Sequence, residues 1–157
     1  MSKVCDELSK QYQLEVAASN FYTLLSNRFA VDGLCGFAKW ASGESKEELA
    51  HAQLIADYMG RLGELITDTK PVEANVEGSD TLQVIKEALQ LEQEYLQIYN
   101  EMWFVAQEEK DVPAMEFIAW FAKSQRESVD SLRVLAAKID SANGGAGAIL
   151  QLDSEIA

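Results

Sequence analysis

The chain of 157 residues carries 13 Lys and Arg against 26 Asp and Glu, a formal net charge of -13, with 48% of its residues hydrophobic. That length suits one domain, taken as residues 1–157, with a core that removes roughly two-thirds of the unfolded surface from water, and the acidity excludes a nucleic-acid or anionic-membrane binder working by charge. No leader-like stretch precedes Met1-Ser2-Lys3-Val4, the longest unbroken apolar run is Phe117 to Ala122, and Cys5 and Cys35 lack a CxxC spacing, which together point to a chain that crosses no membrane and works in a reducing cytoplasm.

Hydrophobic periodicity predicts an all-α chain of four long helices. The first runs from about Val4 to Ala30 and carries the inward stripe Leu8, Tyr12, Glu15, Ala18, Tyr22, Leu25, Phe29. Val31-Asp32-Gly33 turns the chain into a second helix, about Leu34 to Leu62, with Phe37, Ala41, Glu44, Glu48, His51, Ile55, Tyr58 and Leu62 on one face. Gly36 and Gly43 lie inside this helix, each costing about 1 kcal/mol of helix propensity, which only close packing would justify. The segment from Gly63 to Ser79 holds no periodic pattern. Extended at about 3.3 Å per residue it reaches roughly 56 Å, more than the roughly 43 Å length of a 29-residue helix. It can therefore run the length of the bundle and make the second and third helices parallel.

The third helix, about Leu82 to Gln107, presents Ile85, Leu89, Glu92, Leu96, Tyr99, Trp103 and Ala106. After a short turn, Asp111 is placed to cap and Pro113 to start a fourth helix, about Ala114 to Ile139, with the stripe Ile118, Phe121, Gln125, Ser128, Leu132, Leu135, Ile139. The glycines of Asn143-Gly144-Gly145-Ala146-Gly147 stop it, and residues from about 146 to 156 are left for one short final helix. The predicted fold is an up-down four-helix bundle with one long crossover between helices two and three.

Every stripe is interrupted by polar residues near its middle. Two residues of an antiparallel hairpin face each other when their mean number falls in the turn. Glu15 and Glu48 average to 31.5, and Glu92 and Gln125 to 108.5, so both pairs meet at the same level of the bundle. The two hairpins also match at a constant offset of 77, which lays Glu15 on Glu92, Tyr22 on Tyr99 and Glu48 on Gln125. A buried ionised carboxylate without a partner costs several kcal/mol, and no Lys or Arg stands on any of these stripes. Three such carboxylates must protonate or share cations. Glu48 and His51, at i and i+3, supply the carboxylate and imidazole of a two-metal bundle site, and that ligand set suits Fe(II) or Mn(II). Tyr22, Tyr58 and Tyr99 read as core aromatics that each need a partner for the hydroxyl, and Glu47 and Glu127 as members of solvated faces.

Several motifs together resemble the non-haem ferritins of the bacterial type along essentially the whole chain: Leu14-Glu15 with Tyr22 seven residues on, Gly36-Phe37-Ala38-Lys39-Trp40, Glu47-Glu48-x-x-His51-Ala52, Glu92-Gln93, and Phe117-Ile118-Ala119-Trp120-Phe121 with Gln125. The resemblance implies a homo-oligomeric cage of twenty-four subunits that stores iron as ferric mineral, with an intra-subunit ferroxidase centre that oxidises Fe(II) with dioxygen or hydrogen peroxide. On its pattern Glu15, Glu48 and His51 would hold the first iron, Glu48 would bridge, and Glu92 and Gln125 would serve the second. Tyr22 would hydrogen-bond a ligand or lend one electron. The haem-ligating Met of bacterioferritins is replaced by Leu49, so no haem is expected. Of the third iron site that the resemblance implies, Glu47 of helix two and Glu127 of helix four remain, beside Ser124 and Ser128, so that site is weakened or rebuilt around Glu44. The alternatives are a non-mineralising di-iron carboxylate oxidase or peroxide reductase, and a metal-free helical interaction protein.

Overall fold

In the computed structural model, which describes residues 2–156, the chain forms α1 (Lys3–Val31), α2 (Cys35–Leu62), α3 (Thr81–Glu108), α4 (Val112–Ser141) and α5 (Ala146–Ile156), with no strand among the described residues. The ends of these helices are written in the sequence. Ser2 Oγ accepts from the Cys5 amide at 3.2 Å, Asp80 caps the Gln83 amide at 2.9 Å, and Asp111 caps that of Ala114 at 3.1 Å. Gly63 closes α2 in the left-handed region, where the Glu64 amide reaches back to the Met59 carbonyl at 3.0 Å. The start of α2 has no such local cap. Its Phe37 amide donates instead to Asp153 of α5, at 2.8 Å.

α1 packs along α2 and α3 along α4 as two antiparallel hairpins. In the first, Ser45 donates to the Ser19 carbonyl and Ser26 to the Ala38 carbonyl, both at 2.8 Å; a constant residue sum of 64 is the signature of antiparallel neighbours. The connection from 64 to 80 runs back along the bundle, as its length allows. Ser9 accepts from the amides of Thr67 and Asp68 at 2.8 Å near its start, and Arg28 donates to the Gly78 and Ser79 carbonyls at 3.1 and 2.6 Å near its end. The tail folds as α5 across the start of α2, where Gly36 leaves no room for a side chain: a Cβ there would run into the Asp153 carbonyl oxygen. Gly43, by contrast, would offer an added methyl open space, with nothing within 4 Å, so close packing does not account for it.

Two apolar clusters fill the bundle. One gathers Phe21, Leu25, Phe29, Phe37, Ile85 and Ile139, and the other Leu8, Ile55, Met59, Met102, Ile118 and Phe121. Between them lies the polar layer of Gln11, Glu15, Glu48, Glu92 and Gln125, all buried. The inward face of α3 is broader than the predicted stripe. Val84, Ala88, Tyr95 and Met102 are buried there, while Leu82, Leu89, Leu96 and Trp103 are only partly so, because α3 packs against helices on two sides. Leu62, expected on the α2 stripe, is exposed at the helix end, and Cys35 is exposed whereas Cys5 is buried.

Candidate metal centre

The layer is assembled from all four long helices. Glu15 and Tyr22 come from α1, Glu44, Glu48 and His51 from successive turns of one face of α2, Glu92 and Tyr99 from α3, and Gln125 from α4. Ligand atoms of Glu15, Glu48 and His51 lie within 4.8 Å of one another, and so do those of Glu44, Glu48 and Glu92. Glu48 belongs to both groups and stands between them. His51 Nδ1 is 3.1 Å from Glu48 and 3.6 Å from Glu15, and its ring is walled edge-on by Trp120 and Phe121.

Hydrogen bonds hold the carboxylates from behind. Glu15 Oε1 accepts from Gln11 Nε2 at 2.8 Å and from the Tyr99 hydroxyl, while its Oε2 is buried without a hydrogen-bond partner. Glu92 accepts from the Tyr22 hydroxyl at 2.6 Å on Oε1 and from the Gln125 amide nitrogen on Oε2. Gln125 also donates to the Glu92 main-chain carbonyl at 3.1 Å, so in this arrangement it braces a carboxylate. Ser128 Oγ turns back to the Ser124 carbonyl of its own helix. Glu47 and Glu127 are exposed and join Glu44, Trp40 and Trp120 around a cleft of about 440 Å³ that opens beside His51.

The electrostatics show a site short of positive charge. Burial, then Glu92 and Glu15, push the Glu48 carboxyl well above the usual range. Burial also raises Glu92, although Tyr22 and Gln125 oppose it, and burial with Glu47 and Glu92 lifts Glu44 to about 7. Burial acts on Glu15 too, but the neighbouring His51 imidazole and Glu48 carboxyl, with the Tyr99 hydroxyl, outweigh it and hold Glu15 low. His51 is raised, because Glu15 more than offsets the effect of burial. Two charged carboxylates 4.8 Å apart repel by roughly 3–4 kcal/mol at an effective dielectric constant of about 20. Without a cation the layer must therefore take up protons. With one, four carboxylates, Glu15, Glu44, Glu48 and Glu92, balance two divalent ions. The bare Oε2 of Glu15 and the oxygen-rich donor set fit hard divalent metals.

A profile of the ferritin-like domain family matches residues 5–142. The chain belongs to the ferritin-like family. The chain is 28% identical to the bacterial non-heme ferritin of Bacteroides fragilis over 154 residues, covering 98% of this chain and 96% of the relative. It is 30% identical to that of Staphylococcus epidermidis over 121 residues, covering 76% and 72%. The fold superposes on an open pore ferritin from the hyperthermophilic archaeon Archaeoglobus fulgidus with a TM-score of 0.94, at 24% identity over 99% of this chain and 96% of the other. The resemblance read from the motifs is thus correct, as is the ferritin-like bundle, and membership of this family supports iron storage as the general function. No described helix of this ferritin is long and apolar enough to cross a membrane.

Two residues of the layer escaped the sequence reading, Gln11 and Tyr99. Tyr99 stood among the core aromatics, yet its hydroxyl serves Glu15 as that of Tyr22 serves Glu92. The offset of 77 that pairs Tyr22 with Tyr99 carried this signal.

Proposed function

We propose that this ferritin binds two Fe(II) ions in the polar layer, oxidises them there and stores the product as ferric mineral inside a homo-oligomeric cage. The observation that carries the proposal is the pair of ligand groups sharing Glu48 in a buried layer that lacks compensating positive charge. Glu15, Glu48 and His51 would hold the first ion. Glu44, Glu48 and Glu92 would hold the second, with Gln125 bracing Glu92. Each Fe(II) gives one electron to dioxygen, which takes two protons and leaves as hydrogen peroxide, or to peroxide, which takes two protons and leaves as two waters. The Fe(III) ions depart through the cleft beside His51, where Glu44, Glu47 and Glu127 form an acidic mouth. A cage of twenty-four subunits and a cytoplasmic setting follow the family resemblance, and the two unpaired cysteines suit the latter.

Glu48→Ala removes the shared ligand and should abolish rapid Fe(II) oxidation while the particle mass stays that of the parent. An unchanged initial rate in stopped-flow absorbance would sink the site assignment. A particle no larger than a dimer would favour the non-mineralising di-iron enzyme over the store.

A further inference from the structure

The two hairpins brace each other's ligands. Tyr22 leaves α1 to donate to Glu92 of α3, and Tyr99 leaves α3 to donate to Glu15 of α1. The same offset relates both tyrosines and both glutamates, so this is one hydrogen bond built twice. The two ends differ in what else they hold. Both oxygens of Glu92 are occupied, by Tyr22 and Gln125. At Glu15 both donors converge on Oε1, and Oε2 is left bare beside His51 and Glu48.

A carboxylate fixed through one oxygen and bare on the other is an oriented ligand. Without that hold, rotation about the terminal carbon–carbon bond would exchange the two oxygens and swing the bare one away from the site. Tyr99 is itself immobilised: its ring stacks on Phe121 at 5.1 Å and 12°, and Phe121 in turn packs edge-on against His51 at 5.5 Å. The phenol therefore holds Glu15 directly by its hydroxyl and is linked to His51 only by way of the Phe121 ring.

We infer that Tyr99 is a positioning residue for the first metal site, fixing Glu15 together with Gln11 so that Oε2 faces His51 and Glu48, while Tyr22 does the same service for the second site. The inference rests on the two-metal reading given above. It explains why Gln11 stays wholly buried although its Oε1 has no partner: the amide must turn its nitrogen to Glu15, because its oxygen would meet the carboxylate oxygen head-on.

Redox-inert Co(II) tests this without turnover, since its visible absorption reports ligand number and geometry at each step of a titration. His51→Ala identifies the phase that belongs to the first site. Tyr99→Phe should weaken that phase by about tenfold, the usual cost of losing a hydrogen bond behind a metal ligand, and leave the other phase unchanged. Tyr22→Phe should give the reverse pattern. A change that only loosened the bundle would weaken both phases together, and that result, or an unchanged first phase, would overturn the inference. Should Tyr99→Phe fail to fold, Gln11→Leu breaks the other hydrogen bond to the same oxygen and carries the same expectation. Absence of any Co(II) phase in the parent protein would instead overturn the two-metal reading, and this inference with it.

Discussion

Three buried tyrosines of the bundle show how far a side chain's role depends on what its hydroxyl meets. The hydroxyls of Tyr22 and Tyr99 each end on a carboxylate, whereas that of Tyr58 is buried without a partner while its ring stacks on Phe117 at 4.0 Å. Removing an unsatisfied buried hydroxyl relieves a desolvation cost and keeps the ring packing. Tyr58→Phe should therefore be neutral or stabilising by up to about 1 kcal/mol, a gain of roughly 2–4 °C in melting temperature for a chain of this size; a clear loss of stability would mean the hydroxyl has a partner. The inward stripes alone do not make this distinction, because all three tyrosines sit on them; only the offset of 77 sets Tyr22 and Tyr99 apart from Tyr58. Glu44 is a similar case. Its position on the α2 face was legible, but its convergence with Glu92 depends on how α2 and α3 approach each other across the bundle. Glu44→Ala should remove the second Co(II) phase and spare the first, because Glu15 and His51 are untouched; retention of two phases would exclude it as a ligand.

At the scale of elements, the helices and their order were readable because their causes are local. Periodic apolar stripes set the helices, Asp111 with Pro113 set a start, and Gly33 and Gly63 supply the positive φ that the turns need. The crossover followed from chain length alone. The docking of α5 was not legible, since it depends on an approach between residues more than a hundred positions apart: Asp153 caps α2 from outside, and its backbone lies where a side chain at position 36 would be. The two glycines inside α2 should therefore respond to the same substitution with opposite signs. Gly43→Ala meets open space and should stabilise by up to about 1 kcal/mol, the ordinary gain of alanine over glycine in a helix. Gly36→Ala gains the same propensity but cannot keep α5 where it is. Hydrogen exchange should show the amides of α5 and of Phe37 losing protection in Gly36→Ala and unchanged in Gly43→Ala. Undisturbed protection of α5 in Gly36→Ala would contradict this packing.

For the whole molecule, the polar layer sets how stability depends on pH, and metal should reverse the trend. Glu44, Glu48 and Glu92 all have folded-state values raised above the ordinary 4.5, Glu44 to about 7. Between 4.5 and its folded value each such group binds more protons folded than unfolded, so the metal-free protein loses stability as pH rises through that window. His51, raised above 6.5, adds to the same trend, since the stability it contributes when protonated is lost as pH rises through its folded value. Glu15 opposes it, being held low and contributing stability above 4.5 that is lost only on acidification. Three raised carboxylates and a raised imidazole outweigh one lowered carboxylate, and self-repulsion of a chain with net charge -13 acts in the same direction. With a chelator present, the melting temperature should be lower at pH 8 than at pH 5.5. Divalent metal binds the deprotonated ligands, so its affinity rises with pH and it stabilises only the folded state. In excess Co(II) or Mn(II) the order should invert, with the higher melting temperature at pH 8. Glu48→Gln, which removes a raised carboxylate shared by both ligand groups, should flatten the metal-free trend and blunt the inversion. If metal raised the melting temperature equally at both pH values, the protons lost by the layer would not be the ones the metal displaces, and the centre would have to lie elsewhere.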